Sequence, residues 1–225
     1  MKKIAISMTA SVVLIVAAVV ANDIYSAYSD YLDSSKLPNW QQCSSKYSTR
    51  YCSIGEDEKW MAFFDTRGNT INYVGEIDSN FSPVVTSALR LHPKAIALSI
   101  SSSGGDINSA VKAAAELNRK NMTVLAVDKC ASACSVLWSA SDLRDLAPNA
   151  RIGFHAARAA YLIPRTIKRL FQIPGPVDVY SIYKKAGFTD AEIQAFMDTP
   201  HTRMLWLKEQ QLNTKLTARG QNGAT

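Results

Sequence analysis

Three short segments carry side chains suited to acyl-transfer chemistry, and each follows an apolar run. Gly104 and Gly105 come after the run at 95–100, Ser132 stands between Cys130 and Cys134 after the run at 122–128, and His155 ends the segment 150–155. A Gly-Gly turn that ends a strand and opens a helix leaves backbone N–H groups at the positive end of the helix dipole, a place that stabilises an oxyanion. A serine hydroxyl is a poor nucleophile until a neighbouring base accepts its proton, and an imidazole is such a base. Taken singly, the glycine pair reads as a turn and Ser132 as a helix cap or small packing residue. Together, an oxyanion-type turn, a hydroxyl and an imidazole at three consecutive strand ends make the reactive set of a serine hydrolase.

The elements that must position this set follow from the hydrophobic pattern. Residues 61–64, a turn at 65–69 and residues 70–77 read as strand, Gly-containing turn and strand. A helix at 82–91 opens on Ser82 and Pro83, followed by a buried strand at 95–100. Val111, Ala114, Ala115 and Leu117 place a helix over 108–120, and 122–128 repeats the buried-strand pattern. The small-residue segment 130–141 reads as a helix and 150–155 as a further strand. This alternation predicts an α/β fold with a largely parallel sheet covered by helices. Residues 156–197 form an insertion, basic and Pro-bounded to Pro176, then two helices divided at Gly187, the second with an acidic first turn at Asp190 and Glu192. Residues 203–216 are expected to form a last amphipathic helix, 22–60 a stalk or extension, and 217–225 a flexible tail.

Composition removes several classes. The chain has 225 residues, 47% hydrophobic and 20% charged, which excludes disorder, collagen and a multi-pass membrane protein. No fixed-period repeat supports a solenoid or propeller. Lys2 and Lys3 precede the uncharged stretch 4–21, an export signal whose length is compatible with cleavage or with an N-terminal membrane anchor. Residues from about 22 onward are then expected on the non-cytoplasmic side, and two of the six excess positive charges belong to the signal. An oxidising compartment favours disulfides among Cys43, Cys52, Cys130 and Cys134. Three pairings are possible, local pairs being favoured, although an i, i+4 bridge inside a regular helix is tight. C-x3-C without a second nearby pair does not match tetrahedral zinc, so no metal is expected.

The segments SSSGGDINSAV, CASACSVL and PNARIGFHAA resemble the proteolytic subunit of the Clp protease and the wider ClpP and crotonase superfamily, which also includes signal peptide peptidase A. Within it the chain is most similar to exported ClpP-like bacterial proteins, and the resemblance runs over about 63–216. It implies a superhelix of ββα units over 61–216, with 156–197 as a handle-like insertion. It also implies Ser132 as nucleophile, His155 as general base, and the N–H groups of Gly105 and Ala133 as the oxyanion hole. Asp198 falls where ClpP has the aspartate that orients the histidine, with Asp178 or Asp190 as substitutes. The serine-to-histidine spacing is shorter than in ClpP, the difference falling in a turn at 142–146. Asp106 replaces an apolar residue after the glycine pair, and a carboxylate there weakens an anion hole unless it is turned away or neutralised.

The resemblance therefore implies an exported, ATP-independent serine peptidase without cofactor. It would be periplasmic or anchored in the inner membrane through 4–21, homo-oligomeric, and would act on short or unfolded peptides. A non-catalytic binding or scaffold protein of the same fold is the rival reading. A cysteine nucleophile, Cys130 or Cys134, is disfavoured by disulfide formation. G-x-S-x-G is absent, which argues against an α/β-hydrolase esterase, and an acyl-CoA cofactor fits export poorly. His92 and His201 read as loop or surface residues. The basic side chains of 151–185 read as a solvated face or, more sharply, as a contact for anionic lipid. No motif supports nucleic-acid binding.

Overall fold

The computed structural model describes residues 40–44, 49–65, 68–156 and 177–217, all within the compact unit Pro38–Thr225. The apolar segment 4–21, the basic stretch 157–176 and most of the tail lie outside the described residues. Among the described residues no helix is long and apolar enough to cross a membrane.

Along residues 60–64 buried side chains alternate with more exposed ones, with Trp60, Ala62 and Phe64 turned into the core, the pattern of a strand covered on one face. This strand, β3 (Trp60–Asp65), pairs antiparallel with β4 (Thr70–Gly75). On its other edge lies β2 (Thr49–Ile54), itself paired with β1 (Gln41–Ser44). Among the described residues the sheet therefore begins at Gln41: of the expected stalk or extension over 22–60, residues 22–39 lie outside the described residues, and the remainder holds β1, at the edge, and β2, between β1 and β3. Their short, polar sequences carry no period strong enough to be read alone, and pairing with β3 decides their state.

Beyond β4 the chain turns to parallel pairing. Helix α1 (Phe81–Leu91) leads to β5 (Ala97–Ser102), α2 (Ile107–Arg119) to β6 (Thr123–Ala131), and α3 (Ala133–Ala140) to β7 (Leu143–Leu146). Strand β6 pairs parallel with β5, with β7 along its first half, and with β8 (Arg151–Phe154) along its second. An edge strand, β9 (Leu205–Lys208), runs antiparallel to β8. The sheet is thus mixed rather than largely parallel, with antiparallel pairing on both flanks of a parallel centre. Two further expectations change. The turn placed at 142–146 is a strand, and the helix placed over 203–216 is β9 followed by the single turn α6 (Glu209–Leu212), after the helices α4 (Val179–Lys185) and α5 (Asp190–Asp198). The amphipathic pattern of 203–216 is overridden by the free edge of β8, where Trp206 also meets the Arg151 guanidinium 4.3 Å from its ring.

Helices α1, α2 and α3 supply the layer that buries the sheet. Phe81, Val84, Val85 and Ala88 of α1 and Ala110, Ala113, Ala114 and Leu117 of α2 are fully buried. Helix α3 is buried almost all round, from Ala133 to Ser139, as a helix apolar on every side requires. It packs between α2 and α4. The α4–α5 hairpin breaks at Gly187 as expected, and Thr189 with Glu192 closes a capping box at the start of α5. Its aromatic residues enclose Phe154, the last residue of β8: Phe196 stacks on it at 4.0 Å, and Tyr183 and Phe188 meet it edge-on at 5.3 Å.

The far side of the same core is tied by Arg144 of β7, which is 7% exposed. Its guanidinium donates to the carbonyls of Lys215 at 2.7 Å, Ser141 at 2.8 Å and Ala186 at 3.1 Å, joining the ends of α3 and α4 to the C-terminal segment. Burial lowers its pKa while nearby Asp142 opposes the shift. Replacing Arg144 by Leu strands three buried carbonyls and is expected to cost about 3 to 5 kcal/mol, read as a lower urea midpoint. Arg144→Lys is expected to recover less than half of that loss, because an ammonium cannot span three divergent acceptors.

Candidate active site

Ser132 lies between the end of β6 and the start of α3 with φ 56° and ψ −122°, a conformation that costs a non-glycine residue about 1 to 3 kcal/mol. The surrounding contacts hold it there. Its N–H donates to the Gly153 carbonyl of β8 at 2.9 Å. Its carbonyl accepts from the Ser135 hydroxyl at 2.7 Å and from the Val136 N–H at 3.2 Å. Ser135 spends its only proton on that carbonyl, so the Tyr183 hydroxyl at 3.1 Å is the donor to Ser135 Oγ. Burial pushes the Tyr183 phenol up to about 12, so it is protonated and able to donate. Ser132 occupies the N-cap position of α3, yet its hydroxyl makes no capping hydrogen bond. The helix-cap explanation for this serine is thereby removed, and the half-buried hydroxyl remains available for chemistry.

A disulfide braces the same turn. Cys130 and Cys134 are bonded, with Cα atoms 5.0 Å apart. The i, i+4 difficulty does not arise, because Cys130 belongs to β6 and only Cys134 to the helix. Both are fully buried. As a disulfide the pair cannot supply a thiolate nucleophile. Cys52 is also disulfide-bonded; Cys43 lies in β1, with its side chain outside the described set.

The glycine turn after β5 presses directly on this elbow. A Cβ built on Gly104 would lie 2.6 Å from Ser132 Cβ and 3.0 Å from Ala133 N, so only a residue without a side chain allows the approach. Gly104 (φ 104°) and Gly105 (φ 139°) both occupy positive φ. The Ser102 hydroxyl accepts from the Gly104 N–H at 3.0 Å, and Gly105 bridges to Ile77, where a Cβ would fall 2.1 Å from the Ile77 carbonyl oxygen. Among the described residues no acceptor takes the N–H of Gly105 or of Ala133. These are the two donors expected to face an oxyanion. The Asp106 carboxylate is turned to the α2 N-terminus, where it accepts from Ser109 N at 2.9 Å. Its negative charge is engaged in a cap, which answers the conflict expected beside an anion hole.

His155 follows β8, whose Gly153 pairs with Ala131, so the imidazole and the serine lie at the ends of adjacent strands. Both are half-buried. No hydrogen bond joins Ser132 Oγ to His155 among the described residues; catalytic contacts of this kind often tighten only when substrate is bound. The imidazole Nδ1 instead lies 2.7 Å from the carbonyl oxygen of Ala156. The N–H of Ala156 donates in turn to the Thr199 carbonyl at 2.8 Å.

The three candidate carboxylates do not reach the ring. Asp198 ends α5, is exposed, and accepts from Gln194 Nε2 at 2.8 Å. Asp178 caps α4 through Ser181, and Asp190 engages Lys184 and Tyr180. The chain therefore brings the Asp198–Thr199 segment to the histidine loop but delivers a backbone carbonyl to it. His92, expected in a loop or at the surface, is 4% exposed: it stacks on Phe64 at 5.2 Å, and its Nε2 lies 2.7 Å from the Gly68 carbonyl oxygen. His201 is an exposed turn residue, as expected. Ser102, Ala156 and Thr199 escaped the sequence reading; the run of serines at 101–103 was the one available signal, since a carbonyl leaves no mark in residue type. Among the described residues no group of His, Cys, Asp or Glu could hold a metal ion. No family model matches the chain, and no curated protein does either.

The geometry of the elbow has two measurable consequences. Gly104→Ala forces a methyl group against Ser132 at positive φ and is expected to destabilise by about 2 to 4 kcal/mol, seen as a fall in Tm. Replacing Cys130 and Cys134 together by alanine is expected to cost about 2 kcal/mol in chemical denaturation, the value for so short a loop.

Proposed function

We propose that this chain is an exported serine peptidase of the ClpP and crotonase kind. The observation that carries the reading is the meeting of three turns at one sheet edge: a strained serine with an uncommitted hydroxyl, a glycine turn packed against it, and a histidine on the adjoining strand end. Ser132 Oγ attacks the peptide carbonyl carbon while His155 Nε2 takes the hydroxyl proton. The oxyanion that forms is held by the N–H groups of Gly105 and Ala133. His155 then passes its proton to the leaving amine as the C–N bond breaks, leaving an acyl-serine. Water, deprotonated by the same nitrogen, attacks this ester and restores the serine.

Each step uses groups of the chain itself, so the reaction is ATP-independent and takes no cofactor. The substrate is a short or already unfolded peptide, the segment 4–21 directs the domain to the periplasm or tethers it to the inner membrane, and the working form is a homo-oligomer. The rival reading, a binding protein that keeps this fold, draws on the missing Ser132–His155 hydrogen bond.

A fluorophosphonate probe separates the two. The purified exported domain is expected to form a covalent adduct on Ser132, with none in Ser132→Ala. Labelling is expected to slow by about 10² to 10⁴ in His155→Ala, the usual contribution of a general base. Absence of a Ser132-dependent adduct in folded protein would sink the peptidase reading and leave the binding protein.

A further inference from the structure

Resting on the peptidase reading, we propose that a backbone carbonyl, that of Ala156, orients the catalytic histidine, and that the site works as a Ser132–His155 pair from which Asp198 stands apart. A carbonyl oxygen only accepts hydrogen bonds, so Nδ1 at 2.7 Å from Ala156 O must carry the proton. In the neutral ring this leaves the lone pair on Nε2, the nitrogen that must act as base. The tautomer that an aspartate normally enforces is thus set without one.

The carbonyl is itself held in place. Ala156 donates its N–H to Thr199 O at 2.8 Å, Thr199 follows the last residue of α5, and Phe196 of that helix stacks on Phe154 at 4.0 Å. Ala156 and Thr199 are therefore positioning residues, acting through His155 by main-chain atoms. The Asp198 carboxylate is exposed and engaged by Gln194 at 2.8 Å, four residues back on its own helix.

The carbonyl also differs from a carboxylate in charge. A carboxylate stabilises the imidazolium formed as serine loses its proton through a full negative charge, whereas a carbonyl offers only a dipole. This arrangement favours a slow hydrolase with a correctly presented base.

The test pairs Asp198→Asn with two readouts on the full exported domain. Amidation of a working triad aspartate costs about 10⁴ in rate because the wrong tautomer is held. Here Asp198→Asn is expected to keep the rate of Ser132 labelling within about tenfold of the parent. In ¹⁵N imidazole NMR, His155, assigned by comparison with His155→Gln, is expected to show the Nδ1–H tautomer in both proteins. His92, whose Nε2 faces the Gly68 carbonyl oxygen, serves as an internal reference for the opposite tautomer. A loss beyond tenfold, or an Nε2–H signal from His155 in either protein, overturns the proposal. The NMR readout stands even if the parent fails to label, so failure of the peptidase reading and failure of this inference are distinguishable.

Discussion

The candidate site depends on one close approach, that of the glycine turn after β5 to the serine elbow after β6. A methyl group at Gly104 would lie 2.6 Å from Ser132 Cβ, well inside van der Waals contact, so the two turns can meet only because one has no side chain. The approach follows from parallel pairing, which brings the carboxyl ends of β5, β6 and β8 to the same edge and leaves successive turns side by side. Around that contact lie several local restraints: a buried disulfide, the Ser102 hydroxyl under Gly104, and the Tyr183–Ser135 relay beneath the Ser132 carbonyl. Such support is what a backbone at φ 56° requires if its strain is not to relax.

The remaining scaffold makes sense as reinforcement of this edge. Helix α3 starts at the elbow and is buried on nearly every side, so Ser132 stands on an element that cannot shift without opening the core. The aromatic residues of α4 and α5 clasp Phe154 one residue before His155, and Arg144 binds the ends of α3 and α4 to the C-terminal segment. Residues distant from Ser132 in sequence therefore fix the strand ends that carry it and His155.

Electrostatically the site is quieter than its composition suggests. Asp106 spends its charge as a helix cap, and Asp178, Asp190 and Asp198 each have local partners. What converges on Ser132 and His155 is N–H and C=O from the main chain. Such dipoles are preorganised by the fold and need little rearrangement as charge develops.

Much of the central architecture was legible in the sequence, because periodicity and punctuation are local properties. The runs at 95–100 and 122–128, the helix spacing of Val111, Ala114 and Leu117, and the break at Gly187 all read directly. So did the placement of Gly105, Ser132 and His155 at strand ends, since residue type together with position after an apolar run is enough to order them. Strands β1, β2, β7 and β9 were not legible: each is short, and its state is decided by the neighbouring edge it completes. The histidine's partner was hidden for a different reason. Side-chain chemistry pointed to Asp198, but every residue carries a carbonyl, so the sequence cannot distinguish the one at Ala156. Only the tertiary fold, by seating Ala156 against Thr199, decides which oxygen the imidazole meets.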